Sequence, residues 1–244
     1  MWRLSFIRFH LPFTQAVILM PSTPIFPLEI EETILDLLAE DDNDHSALKT
    51  CSLVCQAFLP ICRKHIFGSI VLNNHSAVST SSVYLFAQLL CKRPEIADYI
   101  RKLDCTIRVT DLTRPTLQEL LRRISRLESL TVWRHHRLIF DWSNNPLRPA
   151  LLHLLYLPTL THFRVEGIKN FVVSDLIPCT NLKYLNIGWN TTCAIDRRPD
   201  GQPLINFRSL SKISVAVRSR GEDEASQELF SRCQALTDVE IYCE

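Results

Sequence analysis

The sequence predicts an α/β chain of 244 residues in two unlike parts, a small three-helix module over residues 24–70 and a repetitive strand-and-helix region over 71–244. Two observations predict it. Between residues 28 and 66 apolar side chains recur at steps of three and four, the spacing of one face of a helix. From Ile100 onward an apolar triplet at positions one, four and six returns six times, with a polar residue between the last two, as in a half-buried strand. Residues 1–23 fit neither pattern and read as a disordered leader.

The first helix is expected over Leu28 to Glu40, with Ile30, Ile34, Leu37 and Leu38 on one face. Pro27 suits its first turn, and Glu29, Glu31 and Glu32 sit where the helix dipole favours negative charge. The acidic run Asp41 to Asp44 ends it. A second helix is expected over Ser46 to Phe58, with Ala47, Cys51, Val54 and Phe58 on one stripe, and a short third from Pro60 to Ile66. Three short helices bury little surface, so such a module is expected to lean on a partner or on the next domain.

The six triplets are Ile100, Leu103, Cys105; Leu127, Leu130, Val132; Leu160, Phe163, Val165; Leu182, Leu185, Ile187; Leu210, Ile213, Val215; and Leu236, Val239, Ile241. Their starts lie 27, 33, 22, 28 and 26 residues apart. Helical candidates fall between them at Thr116 to Ser125, Arg148 to Leu157 and Glu222 to Cys233. A strand and a returning helix at roughly 20–29 residues per unit is the pattern of an irregular leucine-rich-repeat-like α/β solenoid.

Composition narrows the function classes. A net charge of +1 supplies no general basic excess for duplex nucleic acid, so no nucleic-acid partner is expected. Charge is nevertheless uneven: residues 27–48 hold eight acids and no Lys or Arg, and residues 92–148 hold twelve bases and seven acids. The second stretch could attract an acidic or phosphorylated segment. Nine cysteines, scattered and odd in number, several of them on apolar stripes, suggest reduced thiols in the cytosol or nucleus. The leader carries Arg3 and Arg8 before the apolar run Ala16 to Met20, a faint likeness to a secretory signal. It is too short and interrupted to span a membrane, and no membrane partner is expected.

The sequence carries no motif of a known chemistry. Cys51, Cys55, Cys62 and His65 have zinc-ligand types, but Cys51 and Cys55 lie within a helical pattern that packing explains, so no metal is expected. His135 and His136 are adjacent and point to opposite faces of an extended segment. None of the five glycines builds a phosphate loop or a nucleophile elbow. No catalytic residue and no cofactor are expected.

The first module resembles the F-box, a helical unit that docks on the Skp adaptor of cullin-RING ubiquitin ligases. The likeness rests on Phe26, Pro27, Leu28, Glu29 and Ile30, on Ile34, Leu38 and Leu48, and on the run Cys51 to Phe58. Phe26 stands where that family has Leu, and Phe58 where it has Trp; both keep a large apolar group. The resemblance implies that Phe26, Pro27, Ile30, Ile34, Leu38, Leu48, Val54 and Phe58 contact the adaptor or support the surface that does. An F-box-like unit followed by leucine-rich repeats is similar to substrate receptors of those ligases, a type abundant in mushroom-forming fungi.

The expectation is therefore a non-catalytic, cytoplasmic or nuclear receptor that binds a Skp-type adaptor with its first part and an unknown target protein with its second. The alternative is a leucine-rich-repeat interaction scaffold not linked to a ligase, with the N-terminal helices as its cap. A secreted or membrane-attached recognition protein is a third class, resting on the leader. Strand alternation gives the face a target would meet: Lys102, Asp104, Trp133, His162, Arg164, Tyr184, Lys212, Ser214, Asp238, Glu240 and Tyr242. Within it Trp133, Arg164 and Tyr184 are the expected anchors, being residue types that dominate interfaces, with Lys212 and Tyr242 beside them.

Overall fold

The computed structural model describes residues 27–41, 45–54, 56–72, 82–107, 115–134, 140–194, 210–217 and 237–243. The chain divides into two compact units, 1–68 and 69–244. The leader, Phe26, Cys55, His135, His136 and the expected helix Glu222 to Cys233 lie outside the described residues.

In the first unit α1 spans Leu28–Asp41, α2 Ser46–Val54 and α3 Phe58–Ile66. The Pro27 carbonyl accepts from Ile30 N at 3.0 Å, so Pro27 stands just before the first turn rather than within it. Helix α2 is shorter than expected and α3 begins two residues earlier. The reason is local: Pro60 falls in the first turn of α3, where its missing N–H has no intrahelical acceptor to serve. Leu35, Leu48 and Cys62 form the core, with Leu38, Ala39, Cys51, Phe58, Ile61 and Ile66 packed against it. Polar contacts tie α3 to α1. His65 Nε2 lies 2.6 Å from Asp36 Oδ1, and Lys64 pairs with Glu32 at 3.4 Å.

The second unit is built on seven parallel strands: β1 Ser69–Leu72, β2 Lys102–Ile107, β3 Ser129–Arg134, β5 His162–Glu166, β8 Tyr184–Ile187, β10 Lys212–Val217 and β11 Asp238–Cys243. Their order in the sheet is their order in the chain. Parallel strands that advance one way through crossovers of one hand carry their connections on one face. Burial agrees. Position four of each triplet is in register across the sheet, and Leu103, Leu130, Phe163, Leu185 and Ile213 are all fully buried. Cys105, Val132, Val165, Ile187 and Val215 form a second buried row. Helices α4 Ser82–Lys92, α5 Pro115–Leu121 and α6 Arg148–Leu155 pack on one another in chain order.

Strand β1 and helix α4 extend the array by one member that the triplet count misses. Ser69 and Ile70 pair with Lys102 and Leu103, so the unit boundary falls two residues before the expected one. At the other edge Val239 is in register with the buried Ile213 yet 46% exposed, a departure from the expected inward position. Among the described residues β11 is the edge strand, with a paired neighbour on one side only.

Short strands extend the ladder beyond the main sheet: β4 Phe140–Asp141 pairs with β6 Ile168–Lys169, and β7 Phe171–Val172 with β9 Cys193–Ala194. Under them Trp142 is fully buried, edge-on to Phe171 at 5.0 Å, and Phe171 lies 5.9 Å from Phe163. The indole Nε1 donates to Asp175 at 2.6 Å, and Arg148 donates to both oxygens of the same carboxylate at 2.9 Å. This fork joins two successive members of the array and satisfies the polar tip of a buried tryptophan.

Candidate functional site

The face of the sheet opposite the helices is polar. Its residues alternate with the buried rows and stand in register as cross-strand lines. One line runs Lys102, Ser129, His162, Tyr184, Lys212, Asp238, and the next runs Asp104, Thr131, Arg164, Asn186, Ser214, Glu240. The expected alternation thus puts the proposed target contacts on one surface, because in a strand residues two apart share a face.

Trp133, Arg164 and Tyr184 occupy neighbouring strands. The Arg164 guanidinium carbon sits 4.4 Å from the centre of the Trp133 ring, and Nη2 donates to Glu166 Oε2 at 3.1 Å. A guanidinium stacked on an indole and held by a carboxylate is fixed in place before any partner arrives. It also covers the indole, so Trp133 is half-buried rather than freely presented. The Arg164 Nε–H is buried and has no acceptor among the described residues. Tyr184 lies 5.8 Å from the His162 ring, and its hydroxyl accepts from Asn186 Nδ2 at 3.0 Å.

Lys212 reaches two carboxylates of β11, Glu240 at 2.6 Å and Asp238 at 2.9 Å. The hydrogen bonds to Glu240 and then Asp238 hold its ammonium above the ordinary lysine range. Tyr242 belongs to β11, but its side chain lies outside the described residues. Ser214 is a correction: it is on the expected face yet only 1% exposed. Its small side chain lies at the bottom of a cleft of about 300 Å³ lined also by Arg164, Tyr184, Asn186, Trp189 and Glu240.

The expected adaptor face separates into two groups. Ile30, Ile34 and Val54 are exposed at 45%, 48% and 73%, together with Leu28, Leu37 and Leu53. Leu38 and Phe58 pack against the core, and Leu48 has no exposed surface. Leu48 is therefore a core residue of the module, and Leu38 and Phe58 are partly buried against that core. Leu35, which the spacing argument passed over, is the residue of α1 that enters the core.

Cys62 lies in the core, where desolvation and the neighbouring Cys51 raise its pKa, and His65 is engaged by Asp36. Among the described residues no group of three His, Cys, Asp or Glu is arranged around a common point for a metal. The fold and these surfaces define an α/β protein with two candidate contact faces, an apolar one on its helical unit and a polar one on its sheet. No protein-family model and no curated protein matches the chain.

Proposed function

We propose that the protein is a non-catalytic substrate receptor of a Skp/cullin/F-box type ubiquitin ligase. In this reading its helical unit is F-box-like and its second unit is an irregular leucine-rich-repeat-like solenoid. The observation that carries the reading is the display of Leu28, Ile30, Ile34, Leu37, Leu53 and Val54 on a helical unit whose own core is filled by other residues. Six large apolar side chains in water on so small a unit favour a partner that covers them. The in-register strand ladder and its one polar face support the second half of the reading, since stacked repeats offer extended surfaces for protein segments.

The division of labour follows from position. Ile30, Ile34 and Val54 contact the adaptor; Leu38, Leu48 and Phe58 hold the helices that present them. The target sits on Trp133, Arg164, Tyr184 and Lys212, and catalysis comes from other subunits.

Co-expression with a tagged Skp adaptor tests this. The full chain is expected to co-purify, and the Ile30→Asp/Ile34→Asp variant to be lost from the complex while keeping its helical circular dichroism. Both positions are exposed, so the substitution spares the core. Retention of a folded double variant overturns adaptor docking and leaves a repeat scaffold outside the ligase as the reading.

A further inference from the structure

The basic excess of residues 92–148 is densest at one loop. Arg122, Arg123 and Arg126 fall within five residues, around Ser125, and Arg122-Arg123-Ile124-Ser125 is the single Arg-Arg-x-Ser/Thr run of the chain. The loop, residues 122–128, joins α5 to β3. The three arginines and Ser125 are exposed, whereas Ile124 and Leu127 beside them are fully buried. Those two apolar side chains anchor the loop and leave its polar groups in water.

Little else holds the polar groups. Arg123 pairs with Glu119 at 3.1 Å, an exposed contact one helical turn apart and of small worth. Arg122 and Arg126 have no ion pair among the described residues. The Ser125 hydroxyl lies 3.4 Å from Asp98 Oδ1, a long hydrogen bond between two exposed groups. Among the described residues the N–H groups of Ser125, Arg126 and Leu127 meet no backbone carbonyl. Ser129 and Ser211 also stand three residues after an arginine, but the strand ladder holds them: Ser129 N donates to Arg101 O at 2.9 Å, and Ser211 N to Lys183 O at 3.0 Å. Lifting residues 122–126 outward breaks the turn bonds of Arg122, Arg123 and Ile124 at the end of α5, exposes Ile124 and leaves that ladder whole.

We propose that Ser125 is a phosphorylation site, the acceptor for a protein kinase whose substrate cleft is acidic where it meets Arg122 and Arg123. In the reaction Ser125 Oγ bonds to the γ-phosphorus of ATP and the bond from that phosphorus to the bridging oxygen breaks. ADP leaves, and the hydroxyl proton passes to a carboxylate of the kinase. The phosphoserine carries about two negative charges. Asp98 repels it, while Arg126, next in sequence, and Arg101, which donates to the Asp98 carbonyl at 2.6 Å, supply countercharge. The modification lies away from the polar face of the sheet and stands apart from the ligase reading.

The catalytic subunit of cyclic-AMP-dependent protein kinase, with ATP, is the probe for the folded full chain, followed by intact mass and peptide mapping. One phosphate is expected, on Ser125. Ser125→Ala is expected to lose it, and Arg122→Gln/Arg123→Gln to slow its incorporation about tenfold or more. All three side chains are exposed, so these variants keep the fold, which circular dichroism checks. A first phosphate on another residue, an unchanged rate in the double Gln variant, or incorporation only after unfolding in urea overturns the proposal, as does no incorporation at all.

Discussion

Leu48 and Ile34 show how differently two apolar residues of one small unit behave. Leu48 is fully enclosed by the three helices, so Leu48→Ala removes buried methyl groups and leaves a cavity; a loss of about 2–5 kcal/mol is expected in denaturant unfolding. Ile34, half in water, is expected to tolerate alanine with little change in the same assay. The buried thiols give a second contrast. Desolvation, followed by the charge of Asp175, pushes Cys179 up to about 12 from an ordinary value near 9. An unfolded chain releases that proton from about pH 9 and the folded chain retains it, so this group leaves stability unchanged below that pH and lowers it as pH rises toward 12. At pH 8, iodoacetamide is expected to modify the exposed Cys91 about tenfold faster or more than Cys105 and Cys179, as read by mass spectrometry of the intact fold. Comparable rates at the three would contradict the packing.

The strands of the second unit are joined where each begins by one repeated device. The carbonyl of Arg101 accepts from Glu128 N and Ser129 N; that of Glu128 from Thr161 N and His162 N; that of Thr161 from Lys183 N and Tyr184 N; and Lys183 and Ser211 continue the series. At Thr161, Ser211 and Thr237 a hydroxyl donates to the same carbonyl. Ser211→Ala should therefore cost only about 0.5–1.5 kcal/mol, and Ser211→Pro, which also removes a ladder N–H, clearly more. Urea unfolding followed by tryptophan fluorescence measures the difference; equal costs would deny the backbone bonds their role. The triplets made this ladder legible because burial on one face demands a fixed period of two. They missed β1, although Phe67, Ile70 and Leu72 repeat the same spacing, because the expected boundary after residue 70 cut through that triplet. They also missed the Trp142, Arg148 and Asp175 fork, which joins residues up to 33 apart that no local period relates. In α1 the difficulty was geometric. Apolar residues occupy two adjacent stripes, Ile30, Ile34, Leu37 and Leu35, Leu38, Ala39, and spacing alone does not say which faces the core. The polar face was legible as a surface, but the burial of Ser214 and the stacking of Arg164 on Trp133 depend on neighbours brought together by strand register.

At the scale of the whole molecule, the two units place unlike chemistry on one chain: exposed aliphatic side chains on the first, and an ordered field of charges and aromatic rings on the second. No helix among the described residues is long and apolar enough to cross a membrane. Under the proposed function the two faces work independently. Alanine at Trp133, Arg164 and Tyr184 together is expected to weaken target capture and leave adaptor binding intact. The central claim is the adaptor contact, and isothermal titration of a purified Skp adaptor into the full chain at several temperatures tests it most directly. Burial of the aliphatic face predicts one-to-one binding with a negative heat-capacity change, lost in Ile30→Asp/Ile34→Asp. Absence of any binding by the folded wild-type chain, or binding that the double variant retains with the same heat capacity, would contradict it.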